Sequence, residues 1–249
     1  MNKATPASQQ SKEIRIEDQA KRYRVLFNGE TVADSVRTKL LFEAPYHPVI
    51  YFPLEDLRRE FLAETQHATH CPWKGDASYW SLKVAGKSAE NAVWSYRTPL
   101  PQCSAIANHA SFIWKSVDGW LEEDSPLLGH ARNPYTRIDT LRSSRRVVVR
   151  AQGEALADSS HAVFLFETGL PARYYIPLVD CRMDLLTKSD SWTVCPYKGR
   201  AAYYSARLPG GEVKDIAWYY PEPWPEVALI RDHIAFYPER VDSIEVADR

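Results

Sequence analysis

The residues best suited to chemistry lie in a short stretch that occurs twice, CPWKG at residues 71–75 and CPYKG at residues 195–199. Proline fixes its own φ and keeps the preceding residue extended, so each stretch predicts a stiff turn. We call it the CPxKG turn. The second copy would hold the Cys195 thiol near the Lys198 ammonium, and the first would hold Cys71 near Lys74. A nearby cation favours the reactive thiolate, and a lysine among aromatic rings can act as a base or Schiff-base amine.

A structural interpretation of the CPxKG turn is also open. Cysteine is often a small buried apolar residue, and a turn lysine can lie at the surface or bind carbonyl groups. A buried lysine needs an acidic partner, and the sequence offers Glu167 and Asp180 in the second copy and Glu43 and Asp56 in the first. The predicted catalytic residues are therefore Lys198, Cys195, Glu167, Asp180, Lys74 and Cys71.

Aromatic residues on the predicted strands are numerous enough to form both a core and a pocket wall. The chain has 8 Trp and 14 Tyr, side chains that combine a large apolar area with a polar group. The alternation of side chains along strands would send one set into a pocket for a flat or apolar small molecule. Arginines nearby could contact an anion. The predicted ligand-binding residues are Arg173, Tyr175, Tyr197, Tyr203, Trp218, Tyr220, Glu43, Tyr51, Trp73, Tyr79, Trp94, Arg132 and Arg137.

The whole chain is built on an internal repeat. Shifted by 124 residues, it matches itself without a gap over roughly 90 positions, for example Gly29-Glu30 with Gly153-Glu154 and Trp94 with Trp218. Such a match indicates a tandem duplication. We predict a disordered tail at residues 1–19, a first domain at 20–118, a linker or arm at 119–144 and a second domain at 145–249. A pseudo-two-fold relation between the domains is expected.

Each domain is predicted to be mainly β. In the second copy, residues 145–159 predict a hairpin that turns at Gly153, and residues 163–169, 172–177, 201–208 and 214–220 predict strands. Residues 225–237 open with proline and show apolar residues at helical spacing, so they predict a helix. The fold class is therefore β-rich α+β: two similar compact antiparallel domains, each with a short helix.

Composition and charge argue against several classes of function. The formal net charge is −1, which predicts neither nucleic-acid nor membrane binding, and no apolar run is long enough for a transmembrane helix. The polar first residues predict no secretory signal, so we expect a cytoplasmic protein with four free thiols. His67, His70 and Cys71 look like metal ligands, but the second copy has Ser191 and Val194 opposite the histidines. We predict no metal and no cofactor.

The repeated motifs resemble the domain-of-unknown-function 427 family across nearly the whole chain, in two copies. The resemblance rests on LFETGLP (165–171), RYYIP (173–177), CPYKG (195–199), AWYY (217–220) and the arm HARNPYTRID (130–139). The first copy departs from it at residues 44–46 and at Trp73. The resemblance implies a compact β-rich domain, likened to β-tent folds, and supplies no reaction. The glycine loop and spaced aspartates of a nucleotidyltransferase are not found.

Two functions remain open at this point. In the first, the chain is a small-molecule-binding protein or enzyme with an aromatic-lined pocket beside the CPxKG turn. In the second, it is a non-catalytic interaction module in which that turn only locks the fold. The expected partners are a small molecule and the second domain of the same chain, and a homodimer is also open.

Overall fold

The computed structural model describes residues 13–247, and the chain divides into two units between Ala131 and Arg132. Both units are built from antiparallel strands and short 3-10 helices, which confirms the predicted β-rich class. Within residues 13–247, no helix has the length and apolarity needed to cross a bilayer.

The first unit contains eleven strands and four 3-10 helices. The strands are β1 Ile14–Asp18, β2 Tyr23–Phe27, β3 Glu30–Ser35, β4 Lys39–Glu43, β5 Val49–Pro53, β6 Leu62–Cys71, β7 Gly75–Val84, β8 Lys87–Ser95, β9 His109–Phe112, β10 Gly119–Glu122 and β11 Ser125–Pro126. The 3-10 helices are Leu54–Asp56, Arg59–Phe61, Pro101–Ile106 and Trp114–Ser116.

The second unit repeats this order, and each of its elements begins 124 residues after its counterpart. Its strands are β12 Ile138–Arg142, β13 Val147–Ala151, β14 Glu154–Ser159, β15 Val163–Glu167, β16 Arg173–Pro177, β17 Leu186–Cys195, β18 Gly199–Leu208, β19 Gly211–Tyr219, β20 His233–Phe236 and β21 Ser243–Val246. Its 3-10 helices are Leu178–Asp180, Pro225–Ile230 and Pro238–Arg240.

Each unit consists of a large sheet and a small sheet. The large sheet of the second unit has the strand order β12-β15-β16-β20-β19-β18-β17, and its small sheet has the order β14-β13-β21. The first unit has the equivalent seven-stranded sheet, β1-β4-β5-β9-β8-β7-β6, and a four-stranded sheet, β11-β10-β2-β3. The duplication seen in the sequence is therefore a duplication of topology.

Both faces of the large sheet in the second unit carry buried apolar residues. On one face, Phe164 and Ile216 belong to a core shared with Val147 and Val149 of the small sheet. On the other face, Val163 and its neighbours form a second cluster with Tyr175 and Trp218. Because successive side chains on a strand point to opposite faces, one sheet can supply both clusters. The second cluster surrounds the candidate site described below.

The predicted tail and linker differ from the structure. Residues 14–18, placed in the tail, form β1, which pairs with β4 at the edge of the large sheet. Residues 119–122 and 138–142, placed in the linker, form β10 and β12. Short edge strands carry a weak apolar signal because only part of their surface is buried. Residues 1–12 of the predicted tail lie outside the described residues, and the predicted pseudo-two-fold relation stays a prediction.

The predicted helix over residues 225–237 is wrong beyond its first turns. A 3-10 helix covers Pro225–Ile230, and the chain then enters β20 at His233. Asp232 lies between them with a φ of +60°, in the left-handed region that a right-handed helix cannot include. Ile234, assigned to the helix by its spacing, instead pairs with Ile176 in the sheet. The apolar residues whose spacing predicted one helix are therefore divided between a short 3-10 helix and strand β20.

Replacing Gly199 tests the backbone geometry at the end of the second CPxKG turn. Gly199 has a φ of +105°, and a Cβ there would lie 3.0 Å from the carbonyl oxygen of Glu222. We expect Gly199→Ala to lower the free energy of unfolding by roughly 2 kcal/mol or more, since left-handed backbone alone costs an L-residue about 1–2 kcal/mol. Urea denaturation measures the change.

The matched control is Gly153→Ala. Gly153 also has positive φ, +80°, but a Cβ there meets nothing within 4 Å. This variant should lose clearly less stability than Gly199→Ala. Equal losses would show that the close approach of the Glu222 carbonyl is unimportant.

Candidate functional site

A buried ion pair between Lys198 and Glu167 forms the centre of the candidate site. Lys198 lies in the turn between β17 and β18, and Glu167 is the last residue of β15. The Lys198 Nζ donates to Glu167 Oε2 at 2.5 Å, and the two side chains are only 10% and 11% exposed. The predicted pairing of the turn lysine with this glutamate is therefore present in the structure.

Backbone hydrogen bonds hold the CPxKG turn in place. The Lys198 N–H donates to the Cys195 carbonyl, and the Trp224 N–H donates to the Lys198 carbonyl at 3.2 Å. The Trp224 indole Nε1 also donates to the Pro196 carbonyl at 3.1 Å. The segment after β19 thus fixes the turn from outside, so that the lysine side chain extends from a rigid base.

Strand alternation places the other residues of the site on the same face as Glu167. Leu165 and Glu167 are two residues apart on β15, so both lie on one face of the sheet. On the neighbouring strand, Arg173 lies directly opposite Leu165, and Tyr175 follows two residues later. These four residues therefore lie side by side on one face of the sheet.

Tyr175 and Trp218 form a buried aromatic pair beside them. The Trp218 Nε1 donates to the Tyr175 hydroxyl at 3.0 Å, and the rings meet edge to face with centroids 6.2 Å apart. Burial raises the pKa of Tyr175, an effect that the hydrogen bond from Trp218 opposes only in part. Burial likewise raises the pKa of Tyr220. Both phenols are therefore neutral at physiological pH.

Tyr203 and Tyr237 extend the aromatic wall. Tyr203 on β18 lies directly opposite Trp218 on β19, and its hydroxyl is 2.6 Å from the Thr193 hydroxyl. Tyr237 follows β20 and lies 4.5 Å from the Trp218 ring, centroid to centroid. Burial, together with its contact with the Tyr203 hydroxyl, raises the pKa of Tyr237 to about 12.

These residues line a half-open cavity of about 210 Å³ on the face of the large sheet opposite the small sheet. Its wall is mostly aromatic and apolar, with the ion pair and one arginine as its charged groups. The lining residues are Leu165, Glu167, Leu170, Pro171, Arg173, Tyr175, Thr193, Lys198, Ala201, Tyr203, Trp218, Tyr220 and Tyr237. We refer to this space as the cavity.

Three residues predicted for the site lie outside the cavity lining. Asp180 follows the far end of β16, where its carboxylate accepts a hydrogen bond from Ser159 at 2.6 Å, so it is wrong as a partner of Lys198. The Tyr197 hydroxyl accepts from the Asn133 N–H at 2.6 Å instead of lining the cavity. Cys195 is half-buried and packs with the apolar residues behind the cavity wall.

The two arginines of the predicted arm also lie outside the cavity lining. The Arg132 guanidinium is 3.7 Å from Glu226, and its Cζ is 5.9 Å from the centre of the Trp224 ring. The Arg137 side chain is 80% exposed and pairs with Asp139. The arm contributes through β12, which borders β15 at the edge of the sheet.

The first unit repeats the framework of the site. Lys74 forms a hydrogen-bonded ion pair with Glu43, and both side chains are buried nearly as deeply as those of Lys198 and Glu167. The Trp94 Nε1 donates to the Tyr51 hydroxyl at 3.3 Å, and the Tyr79 hydroxyl lies 2.9 Å from Thr69.

The remaining predicted residues of the first unit surround this framework. The Trp73 carbonyl accepts hydrogen bonds from Gln102 and from the buried thiol of Cys103. Cys71, like Cys195, is half-buried and packs against the local apolar cluster.

The two units differ at four of the positions that line the cavity. Val49 replaces Arg173 and Ile113 replaces Tyr237, while Tyr46 and His47 stand at the positions of Leu170 and Pro171. His47 stacks on His130 with the ring centroids 3.4 Å apart. Only the second unit therefore carries an arginine at these lining positions and a tyrosine at the position of Tyr237.

Several lining residues were not predicted from the sequence. The apolar spacing of residues 225–237 predicts a helix that includes Tyr237. In the structure, Tyr237 instead follows strand β20 and packs beside Trp218. Leu170 and Pro171 belong to the turn after β15, and their apolar types gave no signal of a site. Thr193 lies on β17, a polar ten-residue edge strand that was missed entirely. Within residues 13–247, no cluster of three or more His, Cys, Asp or Glu residues could hold a metal ion.

Removing one member of the buried ion pair should destabilise the second unit. Lys198→Met leaves the Glu167 carboxylate buried without its partner, which typically costs about 3–5 kcal/mol of the free energy of unfolding. The double variant Lys198→Met/Glu167→Leu should recover most of that loss, because no uncompensated charge remains. Urea denaturation measures both, with Lys188→Met at an exposed position of β17 as the control. Losses that simply add would contradict the account.

Two thiols should resist alkylation in the native protein. Burial, reinforced by the Asp180 carboxylate, raises the pKa of Cys181 to about 12, and burial also raises the pKa of the fully buried Cys103. The thiolate is the reactive form, so at pH 8 only about one Cys181 thiol in 10⁴ is reactive. Iodoacetamide labelling followed by peptide mass spectrometry should leave both unmodified, whereas all four cysteines react in urea. Native labelling of Cys181 as fast as in urea would contradict this prediction.

Comparison with known protein families finds the same two repeats that the structure shows. The family model described as Domain of unknown function (DUF427) matches the chain twice, at residues 15–123 and 139–247. These two matches begin within β1 and β12, so each includes the edge strand that the sequence analysis had placed outside the domains. No curated protein matches the chain. The chain therefore belongs to the DUF427 family and carries two copies of its domain.

Proposed function

We propose that the second unit binds a small molecule in the cavity beside its CPxKG turn. The observation that carries this proposal is the presence of a buried ion pair in the wall of a mostly aromatic and apolar cavity of about 210 Å³. Mostly apolar pockets with a few converging polar groups are the usual form of a ligand site. The cavity is smaller than the roughly 300–1,000 Å³ of pockets for drug-sized ligands, so a ligand with a single ring suits it.

Unused hydrogen-bonding capacity at Lys198 supports a ligand in the cavity. An ammonium group has three N–H donors. Within residues 13–247, the Nζ has one hydrogen-bond partner, Glu167. The remaining donors belong to a side chain that lines the cavity, where a polar group of a ligand could accept them. In an enzyme, the same pair would exchange a proton with the ligand, with Lys198 as acid and Glu167 as base.

The second candidate function is a structural module, and one observation favours it. The first unit keeps the ion pair of Lys74 and Glu43 although Val49 and Ile113 stand at the positions of Arg173 and Tyr237. A feature kept while its surroundings change is what a purely structural role would produce. On this alternative the cavity binds nothing. A cytoplasmic location and a homodimer stay predictions from the sequence.

A probe experiment separates the two functions. We would titrate the full chain with benzyl alcohol and with benzoate and follow the indole N–H resonance of Trp218 by NMR, assigned from the spectrum of Trp218→Phe. Because this N–H donates to Tyr175 in the cavity wall, a bound ring should shift it. We expect at least one probe to shift it in a saturable way.

A cavity-filling variant provides the control. Ala201 lines the cavity, so Ala201→Leu should abolish the shift by occupying the space. Ala77→Leu makes the same change at the matched position of the first unit and should leave the shift intact. If neither probe moves Trp218, or if Ala201→Leu has no effect on binding, the structural module is the better description.

A further inference from the structure

We propose that the ligand of the second unit is a small planar carboxylate whose charge is bound by Arg173 while its ring packs against Trp218 and Tyr237. The inference rests on the proposed function, because it names the chemical class of the molecule that the cavity takes. It also assigns this specificity to the second unit alone.

The charged residues of the cavity wall favour a ligand that carries one negative charge. Among the lining residues, Lys198 and Glu167 neutralise each other, and Arg173 adds one positive charge that the wall does not balance. The lining tyrosines Tyr175, Tyr220 and Tyr237 have raised pKa values and stay neutral. A monoanion would therefore leave the occupied cavity without net charge, which matters in a site of low polarity.

The guanidinium of Arg173 is placed to accept such a ligand. Its Cζ lies 5.7 Å from the centre of the Trp218 ring, and within residues 13–247 it forms no ion pair within 4.0 Å. Asp242 lines a cleft on the other side of Arg173, but its carboxylate is engaged by the Gly153 N–H at 3.0 Å. A guanidinium beside an aromatic ring still presents its N–H groups in its own plane, where they match the two oxygens of a carboxylate.

A carboxylate fits better than a phosphate for two reasons. A phosphate monoester carries close to two negative charges at neutral pH, and the cavity wall offers one unbalanced positive charge. The volume of about 210 Å³ also favours a compact ligand. The aromatic wall made by Trp218, Tyr203 and Tyr237 favours a flat ring as the rest of the molecule.

The first unit supplies the internal comparison. Its residues at the matched positions include Glu43 and Lys74 but place Val49 where Arg173 stands, so their formal charge sums to zero. Ile113 stands where Tyr237 extends the aromatic wall. An anion would meet no matched arginine there, and we infer that the first unit does not select a carboxylate.

The test compares three probes that share one ring. Benzoate, benzyl alcohol and phenyl phosphate would be titrated into the full chain by isothermal calorimetry, with the Trp218 indole N–H as the site-specific NMR readout. We expect benzoate to bind at least about tenfold more tightly than benzyl alcohol, the gain expected from hydrogen bonds to a charged group. Phenyl phosphate should bind more weakly than benzoate.

The decisive variant is Arg173→Val, which installs the residue that the first unit has at the matched position. It should reduce the preference for benzoate over benzyl alcohol, taken as the ratio of the two dissociation constants measured on this variant, to less than about twofold. Arg200→Val is the matched control, because Arg200 also stacks on a tryptophan, Trp192, but lies outside the cavity. This control should keep the full preference.

The outcomes separate the inference from the proposed function. If benzyl alcohol binds as tightly as benzoate, if phenyl phosphate binds best, or if Arg173→Val retains the preference, the carboxylate inference is overturned while small-molecule binding stands. If no probe shifts Trp218 at millimolar concentration, both are overturned.

Discussion

The buried ion pair between the turn lysine and the strand-end glutamate is the constraint on which each unit depends. Two charges taken out of water are tolerable only when they meet in good geometry, because each alone carries a desolvation cost of several kcal/mol. Lys198 can meet Glu167 only if the CPxKG turn and the end of β15 are held at a fixed separation. The pair therefore fixes the turn relative to the sheet and, with it, one wall of the cavity.

The position of the cavity follows from the use of both faces of one sheet. In the second unit, one face of the large sheet packs on the small sheet through Phe164, Ile216 and their neighbours. The other face has no second sheet within the unit, and its large aromatic side chains cover it instead. The cavity lies among these aromatic side chains, which include Tyr175, Trp218 and Tyr220. The cavity is thus part of the apolar cluster that lies away from the small sheet.

Much of the site could be predicted because its residues follow local rules. The proline and glycine of CPYKG specify a turn on their own, and the alternation of Tyr203 with Tyr204 on β18 specifies which ring lies on which face. The pairing of Lys198 with Glu167 was predictable from the cost of burying a lysine alone. Asp180 was an equally suitable acidic partner by residue type, but it follows the end of β16, where it accepts a hydrogen bond from Ser159. The strand pairing, which the sequence does not give, is what separates it from Lys198. Tyr237 was missed because one left-handed residue, Asp232, ends the helix early.

Because the domain is duplicated, the two units of one chain can be compared position by position. Both units keep the ion pair, the Tyr–Trp hydrogen bond and the turn, and these shared features define the fold of the domain. The differences at Arg173 and Tyr237 fall on the lining of one cavity in the second unit. The shared residues would be kept because they stabilise the domain. The residues that differ in the cavity wall would have changed because they select the ligand.

The most direct measurement is a crystal structure of the full chain grown with benzoate. The account predicts density for a ring packed against the aromatic wall of Trp218 and Tyr237, with the carboxylate within hydrogen-bonding distance of the Arg173 guanidinium and the Lys198–Glu167 ion pair intact. An empty cavity beside an ordered ion pair, or benzoate bound elsewhere on the second unit, would contradict it.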